Sequence, residues 1–330
     1  MSRSFSNPYS AQDFFGFFTL LAQRLGEFFS TGSLAGGLAS DEIQIIVLAG
    51  VAASAALVGS FLVLRRMTML ANSLSHTILL GIVIAFLLTR GNFFSHDPGT
   101  TFNIQAMLFA SFFMGLATTF LTELLTKTAK LQEDASIGLV FTTLFALGII
   151  LVTVFTREAH IGTEVVMGNV DILNIEDFKL VYLALALNLS LGFLFFKEYA
   201  ITTFDEPLAK SLGFSTLFFN YLLMLQVSAT VVSGFRAVGV LMILAFLTIP
   251  PLAARLFTHN LKKMILLAAI IGVIGSFIGV ALSRHLLSVY GIALSTGGLT
   301  VCVLGAIYAL TAAGWLIKKR APNKKSESGA

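Results

Sequence analysis

Asn72 and His76, set in "LRRMTMLANSLSHTILLGI" (Leu64 to Ile82), are the residues here whose type and spacing best suit chemistry. Four apart, they stack on one face of a helix. A neutral imidazole is a good ligand for a divalent transition metal, and an amide oxygen coordinates a hard cation without adding charge. The segment around them is nearly free of charge, so the polar face is expected to look into a helix bundle or a water-filled path rather than at lipid. The residues alone leave two roles open. Asn72, Ser73, Ser75 and His76 could bond helices together, at about 0.6 to 2 kcal/mol per bond. Alternatively, Asn72 and His76 could hold a passing ion.

The elements that must position this pair follow from composition. Of 330 residues, 56% are hydrophobic and 12% charged, where a soluble domain carries about 25% charged residues. The mean hydropathy is +0.89. Nine apolar runs, at about 43–64, 69–89, 104–122, 136–155, 178–196, 214–233, 237–257, 264–283 and 293–315, are each long enough to cross a hydrocarbon core of about 30 Å as a helix. Lipid leaves no backbone group free, and the runs are too long and uniformly apolar for barrel strands, so the fold class is all-α: a polytopic helical bundle of about nine transmembrane helices. The chain divides into an N-terminal interfacial segment (1–40), one transmembrane domain (41–315) and a basic tail (316–330). Arg24 and Glu27 interrupt the run from Phe14 to Phe29, which reads as an amphipathic helix on the membrane surface, with a tenth span as the alternative. No cleavable signal peptide is evident. The single cysteine, Cys302, excludes an intramolecular disulfide and is expected to be buried and inert.

Basic residues orient the bundle. Fourteen of the 21 Lys and Arg fall on one side, in the connections holding Arg65, Arg66, Lys127, Lys130, Lys197, Lys210, Arg255, Lys262 and Lys263 and in the tail. That side, with the C-terminus, is expected to be cytoplasmic. The basic residues sit at span ends, which argues against a nucleic-acid partner.

On the inner side, "FKEYAITTFDEPLAKSLGF" (Phe196 to Phe214) contains a short helix: Asp205 can cap it, Pro207 suits its first turn and Gly213 its stop. Leu208 and Leu212 form an apolar stripe beside the polar Asp205, Glu206 and Lys210. That stripe either packs back on the bundle or meets a partner. On the outer side, the connection from Glu158 to Asp177 holds five acidic residues, no Lys or Arg, and His160; Glu158, His160, Glu164 and Asp171 could form an electronegative vestibule or simply a solvated loop. His96, Asp97 and His285 lie near outer boundaries and receive no role. Glu133 and Asp134 suit a helix N-terminus, and Pro250 and Pro251 mark a bend or hinge.

Four patches in order, "GSFLVLRRMTMLANSLSHTILLGI", "EDASIGLVFTTLFALGIIL", "FDEPLAKSLGF" and "VGVLMILAFLTIPPLAARLF", resemble the ABC-transporter permeases for zinc, manganese and iron. The resemblance implies a pathway-forming subunit, multi-pass in a bacterial inner membrane, that imports a divalent metal ion as cargo and holds no permanent cofactor. It implies a cytoplasmic ATP-binding subunit, an extracytoplasmic metal-binding protein and a second permease, a copy or a paralogue. It also implies that Asp205, Glu206, Leu208, Ala209, Leu212 and Gly213 form the helix that docks on the ATPase. The family's metal pair has the spacing D-x-x-x-H, and the matching positions are Asn72 and His76. The missing carboxylate weakens a symmetric site and points to a paralogue that supplies the charge. A permease for an iron chelate or other small cofactor, or a secondary metal transporter, is the alternative. An intramembrane enzyme is disfavoured, because the chain has no HExxH and no GxSxG with a suitably placed triad; it also lacks GxxxxGK[ST], so it is not itself expected to hydrolyse ATP.

Overall fold

The structure, a computed structural model, describes residues 7–10, 12–31, 38–89, 104–155, 170, 173 and 175–320. Its helices are α1 (Phe14–Thr31), α2 (Ser40–Leu64), α3 (Thr68–Thr89), α4 (Ile104–Thr128), α5 (Glu133–Phe155), α6 (Ile175–Leu194), α7 (Phe196–Phe204), α8 (Glu206–Ser211), α9 (Thr216–Val238), α10 (Val240–Phe257), α11 (Leu261–Tyr290) and α12 (Thr296–Arg320). No strand occurs among the described residues. Each expected apolar run coincides with one of these helices. Eight helices of the described residues are long and apolar enough to cross a membrane; α4, at 25 residues, stands outside those eight.

α2 is the central post. It packs on α6, α9, α10 and α11, while α3 packs on α4 and α5, and α12 lies outermost against α10 and α11. Without a hydrophobic driving force inside lipid, helices associate through close packing, which small residues permit. Ala52, Ala55 and Ala56 of α2 are fully buried. A Cβ at Gly59 would overlap the carbonyl oxygen of Leu247 on α10. That carbonyl lies four residues before Pro251, which has no N–H to offer it, so the proline frees a backbone oxygen just where only glycine can approach. α10 runs through Pro250 and Pro251 as one helix, with both prolines buried.

α1 lies against α11 rather than among the spans. Tyr9 and Phe17 are buried beneath it, with ring centroids 4.8 Å apart, while Phe15 stays 77% exposed. Charge fastens this end. Arg24 pairs with Glu42, Arg284 Nη2 lies 2.6 Å from Asp41 Oδ1, and the Tyr9 hydroxyl donates to Glu42 Oε1 at 2.9 Å. Burial and the adjacent Glu42 raise the Tyr9 phenol above its ordinary value. The Phe14 amide donates to His285 Nδ1 at 3.2 Å, which gives that boundary histidine a structural task.

One expectation is corrected. Cys302 is exposed, because it sits on the outermost helix α12; a lipid-facing flank is as apolar as a buried one, so the sequence does not separate them.

Candidate functional site

α3 begins after a three-residue turn and carries the polar run one turn in. Asn72 and His76 are each partly buried, whereas Ser73, Ser75 and Thr77 are buried. The short polar residues account for the local bonding. The Ser75 hydroxyl donates to the Asn72 backbone oxygen at 2.8 Å within the helix, and Thr77 meets Thr118 of α4 at 2.9 Å between their hydroxyl oxygens. Small residues bring α4 and α9 close here: a Cβ at Gly115 would overlap Ser228 Oγ. Among the described residues, neither the Asn72 nor the His76 side chain makes a hydrogen bond to a neighbouring helix.

The His76 ring instead lies against two rings of α5, with centroids 5.4 Å from Phe141 and 5.3 Å from Phe145. Those phenylalanines, four apart and stacked at 5.7 Å and 17°, form an apolar wall beside the imidazole. They sit in the second patch, "EDASIGLVFTTLFALGIIL", but a phenylalanine in an apolar run gives no signal of facing a histidine. A half-buried imidazole and amide that share a face, without a hydrogen bond to another helix among the described residues, can take water or a metal ion there. Among the described residues no group of three or more His, Cys, Asp and Glu stands ready to hold a metal. A complete coordination shell therefore needs groups from outside them.

The connection from Phe196 to Phe214 forms as its local sequence dictates. Asp205 Oδ1 accepts the Leu208 amide at 2.9 Å, capping α8, and Glu206 pairs with Lys210 across one turn at 2.8 Å. The hydrogen bond from Lys210 holds the Glu206 carboxyl below its ordinary range. Gly213, at φ 83°, ends the helix in the left-handed conformation that favours glycine, and the Phe214 amide closes the stop on the Ala209 oxygen at 3.0 Å. Leu208 and Leu212 are 46% and 56% exposed, while Ala209 is fully buried. The stripe thus turns outward and Ala209 anchors the helix to the bundle. Glu158, His160, Glu164 and Asp171, like His96 and Asp97, lie outside the described residues.

The described residues thus form a bundle of apolar helices with a half-buried amide and imidazole on α3 and an exposed apolar stripe on the short capped helix α8. Residues 42–314 match the ABC 3 transport family, and the chain belongs to that family. It is 40% identical to a Chlamydia muridarum protein named "Probable metal transport system membrane protein", covering 95% of this chain and 96% of that one. It is 37% identical to the manganese transport system membrane protein MntD of Bacillus subtilis, over 83% of this chain and 92% of that one. Against the zinc transport system membrane protein TroD of Treponema pallidum the identity is 34%, over 81% of this chain and 71% of that one. Among solved structures, PsaBC from Streptococcus pneumoniae in complex with Fab superposes with a TM-score of 0.69 at 25% identity, covering 88% of this chain and 95% of that chain.

Proposed function

We propose that this chain is the pathway-forming subunit of an ABC importer for a divalent metal ion, manganese or zinc, driven by a separate cytoplasmic ATP-binding subunit. The observation that carries this reading is the half-buried Asn72 and His76 face, which bonds to no neighbouring helix among the described residues. Were the pair interhelical glue, its atoms would be spent across α4 or α5, as those of Thr77 are. Where the relatives' names specify a metal it is manganese or zinc, and imidazole with oxygen suits both. An iron or iron-chelate cargo has no support from them.

In this mechanism His76 donates a neutral ring nitrogen to the passing ion and Asn72 an oxygen without charge. A divalent ion needs negative charge nearby at low dielectric, so the second permease is a paralogue whose carboxylate completes the site. Phe141 and Phe145 keep one side of the imidazole dry. Leu208 and Leu212 seat α8 in the ATP-binding subunit, with Asp205, Glu206 and Gly213 fixing the helix and Ala209 fixing it to the bundle. An extracytoplasmic metal-binding protein delivers the ion, and the negative charge of Glu158, Glu164 and Asp171, with His160 among them in sequence, favours that delivery. The assembly is multi-pass in the bacterial inner membrane with the 316–330 tail in the cytoplasm; residues 1–40 belong to the outer interface and 41–315 to the permease domain.

The test is reconstitution of this chain with its paralogue and ATP-binding subunit in proteoliposomes, followed by ATP-driven uptake of manganese and zinc ions. Uptake of either that stops when Leu208→Asp and Leu212→Asp are combined supports the reading. ATP hydrolysis by the pure chain, or uptake indifferent to ATP, would sink it.

A further inference from the structure

Arg65 stands between the docking helix and the pathway helix. It caps α2, and its half-buried guanidinium reaches three neutral acceptors: Nε donates to Thr203 Oγ1 at 3.0 Å, Nη2 to Thr202 Oγ1 at 2.9 Å and Nη1 to Asn220 Oδ1 at 3.0 Å. Among the described residues no carboxylate pairs with it. Thr202 and Thr203 lie in the last turn of α7, just before the Asp205 cap of α8, and Asn220 lies in the opening turns of α9, the next helix after it. One side chain thus holds both segments that flank the docking helix.

The other direction leads to Asn72 and His76. After Arg65 come only Arg66, at φ 61°, and Met67 before α3 begins. The Met67 amide donates to the Leu62 oxygen at 3.0 Å and the Leu70 amide to the Met67 oxygen at 3.1 Å, so the end of α2 and the start of α3 form one bonded corner. His76 sits eight residues beyond Thr68, about 12 Å along the helix. A shift of that corner moves the imidazole with it.

We infer that Arg65 is a positioning residue which transmits displacement of α8 through the α2–α3 corner to Asn72 and His76; this rests on the transporter reading above. The choice of acceptors fits the task. A planar fork gives three directed, charge-assisted bonds that a lysine cannot reproduce. Because the partners are neutral, no second buried ion must be stripped or left behind when the bonds exchange during a cycle.

The test uses the assembled transporter in proteoliposomes with manganese ion as cargo, measuring ions moved per ATP hydrolysed together with thermal stability. In Arg65→Met, ATP hydrolysis persists while ions per ATP fall by at least about tenfold, within the range of a typical coupling between sites. Arg65→Lys behaves like the methionine variant. Thr203→Val combined with Asn220→Leu lowers the same ratio, and adding that pair to Arg65→Met lowers it no further, since the methionine has already removed the bonds that the pair deletes. Normal ions per ATP in Arg65→Met overturns the inference. Transport and hydrolysis that fall in step with thermal stability also overturn it, because Arg65 would then only hold helix ends together. If Arg65→Met does not assemble, the Thr203 and Asn220 variant decides by the same ratio. A wild-type chain that captures no ATP-binding subunit overturns the transporter reading and the inference with it.

Discussion

Two polar patches inside the bundle use similar residues to different ends. One joins α2, α6, α7 and α9: Asn188 Nδ2 donates to Ser54 Oγ at 2.7 Å and Thr230 Oγ1 at 2.6 Å, Gln226 Nε2 to the Asn188 backbone oxygen at 3.3 Å, and the Tyr199 hydroxyl to Gln226 Oε1 at 2.8 Å. All five residues are buried. The other is Asn72 with His76, half-buried and without a bond to another helix among the described residues. Polar groups in a lipid-embedded bundle are structural where their atoms face one another, and available for a ligand where they do not. The Asn188 patch falls one bond short of closure, since Asn188 Oδ1 is buried with no hydrogen-bond partner among the described residues, a place suited to a bound water.

The largest effect is expected at His76. His76→Ala removes a ligand without adding charge, and metal uptake should fall by at least about 100-fold while thermal stability holds. If stability falls and uptake per folded molecule does not, the patch belongs with the Asn188 group and the comparison collapses.

Asn72→Asp sharpens the comparison from the other side. A carboxylate in a cation site should tighten metal binding by about tenfold, a modest share of what a nearby unlike charge offers at reduced dielectric, and slow release. Without metal the same variant should be less stable than wild type, because the new charge is unpaired. Metal titration followed by both affinity and thermal stability reads the two effects together; destabilisation with no gain in affinity would make Asn72 interhelical glue.

What could be read from the chain beforehand divides along the range of the forces involved. The spans were legible because lipid imposes length and apolarity on each one separately. α8 was legible because its signals are local: Asp205 bonds three residues away and Gly213 ends the helix by its own φ. The charge cluster at the start of α2 was not, since Arg24 and Glu42 are 18 residues apart and Asp41 and Arg284 243 apart. Arg65 reads in sequence only as an inner-side charge, and its acceptors lie 137 to 155 residues away. Asn72 and His76 stood out as polar residues in an apolar run, but Asn188 and Gln226 carry that signal equally, and only packing tells the two patches apart.

A smaller effect is expected at Asn188. Asn188→Ala removes two interhelical bonds but leaves Ser54 and Thr230 within reach of each other at 3.3 Å, so the bundle should lose about 1 to 2 kcal/mol. Uptake per folded molecule should stay at the wild-type level. A selective loss of uptake with unchanged stability would move this patch to the functional side.

The smallest effect belongs to Glu206, which tests whether charge or apolar contact governs the docking proposed for α8. Its carboxyl is held below the ordinary range chiefly by the hydrogen bond from Lys210. A depressed carboxylate adds stability above its unfolded value, about pH 4.3, and that contribution is lost as pH falls through the lower folded value. The pair is more than half exposed, so water and salt screen it. Glu206→Gln at pH 7 should therefore leave ATP-binding-subunit capture and uptake unchanged and barely lower thermal stability, with wild type and variant converging as the medium is acidified below the carboxylate range. Leu208→Asp, on the exposed stripe of the same short helix, should abolish capture under the conditions in which Glu206→Gln does nothing. If the glutamine variant also loses capture, α8 meets its partner through charge, and the outward leucines only cover the bundle end.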